Sequence, residues 1–280
     1  MRKLPFARPR RSAASFRRHR VAAAVSIVSA LLLPAAVAHA TSSTTFWTPA
    51  TTSVQPYLVP HITYDTYVAE RGGFQNDYGL TLGVLPYEKI QGEIGFDSFL
   101  PGIAKSNLYL NGKLDVPEGA LGKTAPGISL GIVGAGFDHN VSDFNILHAT
   151  IGKTFSFGNV VAGGYYGLND KLMVSSEGKK QQAGFLGAWT SPDIVLSLPG
   201  LKKVNFIADV QTGKNAFGAW GVGIGLYFTD AIDILIGPVF LFDPNATTQL
   251  PGPGFSQGSA RPKMLWSIQL DIDFDLRKKK

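Results

Sequence analysis

Near the C-terminus, Asp271, Asp273 and Asp275 occupy every second position and alternate with Ile268, Leu270, Ile272, Phe274 and Leu276. Side chains two apart on an extended strand share a face, so the carboxylates form one row and the hydrocarbon another. Fixed carboxylates beside a low-dielectric wall concentrate cations and repel anions. The same phase puts Glu93, Asp97, Asp115, Asp209 and Asp233 on the polar faces of other extended runs, with Lys113 as the base among them. These residues are the candidates to line a hydrated interior with a net acidic wall.

Other chemistry is poorly represented. Thr212-Gly213-Lys214-Asn215 lacks the first glycine and the hydroxyl residue of a phosphate loop, and Gly221-Val222-Gly223-Ile224-Gly225 opens no helix, so neither is a nucleotide fingerprint. His61, His139 and His148 share no metal-ligand spacing, although Asp138-His139-Asn140 is a loop that a cation could visit. A lipid hydrolase would need a nucleophile and a base at the rim of the sheet. His148 near Ser142 or Thr150 is the visible start of one, but its phase places it among Thr150 and Gly152 on the inner face. Catalysis and cofactors are therefore not expected.

The elements that must position the acids are strands. No convincing helix follows the leader; strand-sized runs of period two alternate with turn clusters at about 55–67, 77–86, 88–99, 106–116, 127–137, 143–154, 159–168, 181–190, 203–211, 216–228, 231–242 and 264–276. Trp220, Val222, Ile224, Leu226 and Phe228 share one face of one run, opposite Gly221, Gly223, Gly225 and Tyr227. Alternation alone does not say which face meets water. A soluble barrel would crowd its polar faces with Lys, Glu and Asp, whereas here those faces carry mostly Gly, Ala, Ser, Thr, Asn and Gln with scattered acids. Small residues suit an interior, so the apolar faces are read as facing lipid.

The first 40 residues stand apart. Arg2, Lys3, Arg8, Arg10, Arg11, Arg17, Arg18 and Arg20 precede an apolar stretch from Val21 to Val37, and Ala38-His39-Ala40 fits a small-x-small cleavage rule. This reads as a secretory signal peptide, leaving 41–280 as the mature barrel domain. The leader carries eight of the 26 Lys+Arg and none of the 20 Asp+Glu, so the rest of the chain is slightly acidic and its charge gives no reason to expect nucleic-acid binding. Cysteine is absent, which excludes disulfides and thiolate metal sites.

The fold class that follows is all-β: a closed antiparallel transmembrane β-barrel of about 12 strands with up-and-down topology. A run of about 10 residues at roughly 3.3 Å per residue, tilted near 45°, covers the thin hydrocarbon band of an outer membrane. With both termini periplasmic, the connections at 68–76, 137–142, 169–180 and 243–263 face outward, and Pro86-Tyr87, Ser156-Phe157-Gly158 and Thr229-Asp230 are tight periplasmic turns. Pro117 to Pro126 and Ser191 to Lys202 are too long for bare turns, which implies short caps or different strand ends there.

The stretches FWTP (46–49), GLTLGVLPYEKIQGEIGFD (79–97), PEGALGK (117–123), GKNAFG (213–218) and YFTDAIDILIGPVFLFD (227–243) resemble an uncharacterised family of Gram-negative outer-membrane β-barrel proteins described as porin-like. The resemblance spans essentially the whole mature chain; it implies fold and location and brings no activity. The expectation is a monomeric, passive, narrow channel for small hydrophilic solutes, cations or neutral molecules preferred. It would sit in outer-membrane lipid and be inserted by the barrel assembly machinery. Tyr109, Tyr227 or an infolded 243–263 loop could occlude the bore. The alternatives are a closed barrel acting structurally or adhesively through its loops and, less favoured, an outer-membrane lipid hydrolase. No terminal aromatic follows the last run, where Arg277 to Lys280 stand instead.

Overall fold

The computed structural model describes residues 44–69, 75–100, 106–246 and 263–277. The leader at 1–40 and most of the 243–263 connection lie outside the described residues. Among the described residues thirteen strands form one sheet: β1 Pro60–Ala69, β2 Gln75–Gly83, β3 Gln91–Leu100, β4 Leu108–Val116, β5 Gly127–Gly136, β6 Asp143–Phe155, β7 Gly158–Gly167, β8 Ala183–Thr190, β9 Ile194–Leu198, β10 Leu201–Gln211, β11 Ala219–Tyr227, β12 Ile232–Leu241 and β13 Met264–Asp273. Every pairing between these strands is antiparallel, and all join neighbours in the chain except that β10 reaches past β9 to pair with β8 and that the last strand pairs with the first. β13 pairs with β1, from Ala69↔Leu265 to His61↔Asp273, and closes the sheet into a barrel of 12 strand positions.

The extra strand resolves the long connection after β8. β8 pairs with the Ile207–Gln211 half of β10 and β9 with its Leu201–Val204 half, so both occupy one barrel position. The break between them falls at Ser191-Pro192-Asp193, where a proline has no N–H to give to the ladder. Ser191 repairs the gap: its N–H donates to the Phe206 carbonyl (2.8 Å) and its Oγ accepts from the Phe206 N–H (2.9 Å). The connection before β5 is a cap of turns in which the Lys153 Nζ meets Glu118 Oε1 at 2.7 Å. Its hydrogen bond to Lys153 holds the Glu118 carboxyl below its ordinary range. A depressed folded value stabilises above the unfolded pKa, and that contribution fades as pH falls through the folded one. Because both side chains are about one-third exposed, Glu118→Gln should change unfolding by less than about 1 kcal/mol, read as the urea midpoint at neutral pH.

Alternation fixes the two faces. Large apolar residues point away from the barrel: Ile94 is 58% exposed, Leu114 55% and Leu130 59%. Trp220 stacks on Phe240 (4.3 Å between ring centroids), with Trp266 also exposed on the same end of the wall. Phe155 and Phe157 stack at the opposite end, so aromatic residues flank the apolar belt on both sides as they do in barrels that cross bilayers. No helix among the described residues is long and apolar enough to cross a membrane; any crossing is by strands.

Several strand ends differ from the sequence expectation by three residues or more, at β1, β2, β3, β11 and β13. Residues 55–59 do not extend β1, and β13 stops at Asp273. The first difference is the most consequential, because residues 44–59 lie inside the barrel.

Candidate functional site

The interior is built from the inward rows of the strands and from two segments that fold into it. The first is the stretch before β1. Phe46, Thr48, Ala50, Val54, Gln55 and Val59 are all buried. The backbone N–H groups of Phe46, Trp47 and Thr48 all donate to one oxygen of the Asp209 carboxylate, at 3.1, 2.7 and 2.8 Å. Successive N–H groups converging on one anion form a nest, in which one charge satisfies several donors. Gln269 Nε2 donates to the Phe46 carbonyl at 2.6 Å, and the Trp47 indole N–H to the Phe217 carbonyl at 2.9 Å. The segment then crosses to the other wall, where Thr150 Oγ1 donates to the Thr51 carbonyl (3.0 Å) and Gln55 N–H donates to Glu93 Oε2 (2.7 Å).

Glycines make room for it. A Cβ at Gly221 or Gly223 would fall against the Phe46 ring, and one at Gly83 would collide with the backbone of Gln55 and Pro56. The glycine face of β11 is therefore a seat for a side chain of this chain's own, and Phe46 packs there with Ile207, Ala219, Leu235 and Val239.

The second inward segment is the β7–β8 connection, 168–182. Its ends are polar, but Leu172 and Met173 are buried with Ala50, Tyr109, Phe144, Ile146, Tyr165 and Leu186 in an apolar cluster inside the wall. Beside it, Ser175, Lys179, Gln181, Thr212, Lys214 and Asp243 line a polar hollow of about 710 Å³ among the connections at that end. Among the described residues, Tyr109 and these two segments, which the sequence reading did not nominate, fill interior space, while Tyr227 accepts a hydrogen bond from Asn205 Nδ2 (3.1 Å) and lies under the Lys203 ammonium (4.4 Å).

Charge is distributed unevenly over the remaining wall. Glu93, Lys113, Asp115, Asp209, Asp233, Asp271 and Asp273 are buried, and Asp97 is half-buried beside Asn111. Apart from Asp209, these residues lie on β3, β4, β12 and β13. Asp275 lies past the end of β13, where Arg277 grips it at 2.6 Å. It belongs to the barrel rim rather than to the strand row, because pairing with β1 ends at Asp273. Lys113 bridges to Glu93 at 3.3 Å, and His61 sits between Asp271 (3.1 Å) and Asp273 (2.8 Å).

The inward residues missed include His61, Asp65, Asp77 and Lys203, the last in phase with Asn205, Ile207 and Asp209. Their signal was present in strand phase, since His61, Thr63, Asp65 and Tyr67 alternate with Ile62, Tyr64 and Val68, and Asp77 shares its face with Gly79. Asp65 and Asp77 complete an acidic stretch of wall over β12, β13 and β1 to β4, and the 44–59 segment touches this stretch at Leu235, Val239, Gln269 and Glu93 as well as β6, β10 and β11 across the interior. The hydrolase pairing does not assemble. Ser142 Oγ accepts from the Asp138 N–H (3.1 Å), whereas neither ring nitrogen of His148 has a hydrogen-bond partner among the described residues. His139 is exposed and pairs with Asp143 at 3.0 Å. Among the described residues no three acids or histidines converge as metal ligands.

Comparison with known proteins places no sequence-level relative beside this one: neither a protein family nor a curated protein matches the chain. The family resemblance of the quoted stretches therefore stands without a sequence match. Solved structures do match. One comes from work on the mechanism of in-meso crystallization of membrane proteins, with 16% identity, TM-score 0.41, 78% of this chain and 85% of that one covered. An outer membrane channel from Pseudomonas putida F1 matches at 11% identity and TM-score 0.37, over 81% of this chain and 99% of that one. OmpF of Salmonella typhi in complex with daunomycin matches at 8% identity and TM-score 0.37, over 77% and 96%. The neighbours are outer-membrane barrels, and similarity at this level carries no argument about pore, solutes or partners.

Proposed function

We propose that the protein is an outer-membrane channel for small hydrophilic solutes, with cations or neutral molecules preferred, whose bore is narrowed by its own 44–59 segment and by the 168–182 connection. The observation that carries this reading is the inversion of the wall. Hydrocarbon side chains are exposed on the outside, while Glu93, Asp115, Asp233, Asp271 and Asp273 are buried inside. Lys113 and His61 balance part of this charge, but Asp115 and Asp233 form no ion pair among the described residues, and burying such carboxylates is costly unless water or counter-ions reach them. An acid-lined aqueous path supplies both, and it concentrates cations. The reading includes cleavage of the 1–40 leader, insertion by the barrel assembly machinery and function as a monomer in lipid, without a cofactor and without catalysis.

The packed interior favours a second reading, a closed barrel that works through its outer connections. Conductance across a planar bilayer under a KCl gradient separates the two. The channel reading expects a reversal potential on the cation side, and Asp233→Asn with Asp271→Asn should bring it measurably toward zero. It is overturned if the barrel is anion-selective, or if it stays silent even after residues 44–55 are deleted. Silence in both forms is the result the closed-barrel reading expects.

A further inference from the structure

Among the described residues, one group of carboxylates has no counter-charge. Asp65 on β1 and Asp77 on β2 are directly paired across the ladder, and Asp97 on β3 stands opposite Gly79, one inward position along from Asp77. Asp97 leans into the space Gly79 leaves empty: its Oδ1 lies 2.9 Å from where a Cβ would be. Like charges directly opposite on a sheet repel. No Lys, Arg or His among the described residues forms an ion pair with any of the three.

Their hydrogen bonds show where capacity remains. Asp65 accepts from Thr63 Oγ1 (3.0 Å) and Tyr67 Oη (3.1 Å), and Asp97 Oδ2 accepts from Asn111 Nδ2 (2.5 Å). Asp77 is 6% exposed, and its Oδ1 has no partner among the described residues. It is a buried, unsatisfied acceptor on the face it shares with the two other acids. Such an atom is costly to leave unmatched.

Aromatic rings border the group. Phe99 is the cross-strand partner of Asp77, and Tyr109 that of Asp97. Phe99 meets Tyr109 edge to face at 5.3 Å, and Tyr67 meets Trp47 in the same way at 5.5 Å. Asp65, Asp97, Tyr67 and Phe99 are half-buried, so the group is reachable rather than sealed. The acids are not placed to ligate a bare metal ion. Carboxylates spread among ring faces instead match an organic cation, which is too large for a ligand cage, weakly hydrated and attracted to aromatic quadrupoles.

We infer that Asp65, Asp77 and Asp97, bordered by Tyr67, Phe99 and Tyr109, form a binding site for a small organic ammonium or guanidinium compound. The inference deepens the channel reading by naming a solute class and rests on that reading for its physiological meaning. The binding itself requires no conduction.

The test uses the full mature barrel in detergent with benzyltrimethylammonium chloride as the probe, followed by calorimetric titration. Saturable binding is expected, weakened about tenfold or more in both Asp77→Asn and Asp97→Asn, with benzyl alcohol and KCl at equal ionic strength giving none. In the absence of probe, Asp77→Asn should raise the thermal midpoint, because it removes one member of a repelling pair; this also shows that the variant folds. The inference is overturned if the probe does not saturate, if both variants bind undiminished, or if neutral benzyl alcohol binds equally well. A barrel that binds the probe but stays silent in bilayers even after deletion of residues 44–55 would end the channel reading alone, and one that conducts without binding would end this inference alone.

Discussion

Asp209→Ala should release the segment before β1 from the barrel interior. One carboxylate oxygen holds the N–H groups of Phe46, Trp47 and Thr48, and hydrogen bonds to a charged group contribute roughly 1.5–3 kcal/mol each. Losing all three also strands three buried or part-buried donors, so the seat weakens by several kcal/mol on the order-of-magnitude scale of buried polar groups. Asp209→Asn keeps an acceptor and should have a smaller effect. The measurements are protease cleavage at the N-terminal side of β1, expected to appear in the alanine variant, and mean conductance, expected to rise severalfold. Protection unchanged from the parent would mean that the contacts of Phe46, Gln55 and the glycine face hold the segment without Asp209.

The second large effect lies on the outside. Ile94→Lys or Leu130→Arg introduces a cation at positions that are mostly exposed, 58% and 59% respectively. On a protein surrounded by water, substitutions at such positions usually stay within about 0.5 kcal/mol. In a bilayer, a lysine or arginine facing lipid near the midplane costs about 2–4 kcal/mol. Refolding into lipid vesicles with a urea titration reads the difference directly. Thr81→Lys, on the opposite face of β2 beside Gly95, provides a contrast whose cost comes from crowding rather than from lipid.

The wall was legible in the sequence because a period-two pattern is enforced at every position. A one-residue slip would drive Asp271 and Asp273 into hydrocarbon together, so strand phase and face could be read from composition alone. The additional strand β9 was not, because Ser191-Pro192-Asp193 looks like a connection, and only pairing with β10 shows that the chain resumes the same barrel position. The inlaid segment escaped for a related reason. Residues 55–59 alternate well enough to pass for the start of β1, while Pro49 and Pro56 lack the N–H that a ladder would need. What seats it is long-range: Asp209 and Gln269 are more than 160 positions away from their Phe46 contacts.

The candidate site was half legible. Acids on well-phased strands were identified, but Asp65 and Asp77 sit near the outward connection at 68–76, where a polar residue reads equally well as loop. The infolded Leu172-Met173-Val174 was likewise hidden in a connection whose other residues are mostly polar. A tripeptide carries no periodicity, and its burial follows from Tyr165 and Leu186 waiting on the wall.

The central claim is that lipid surrounds this sheet and charge faces inward, and the absence of native cysteine allows it to be tested one position at a time. Single cysteines at 128, 129, 130 and 131 of β5, spin-labelled and reconstituted in bilayers, report collisions with oxygen and with a water-soluble nickel chelate. The account predicts that labels at 128 and 130 meet oxygen and exclude the chelate, and that those at 129 and 131 are shielded from lipid. Labels at 128 and 130 that collide freely with the chelate would contradict it.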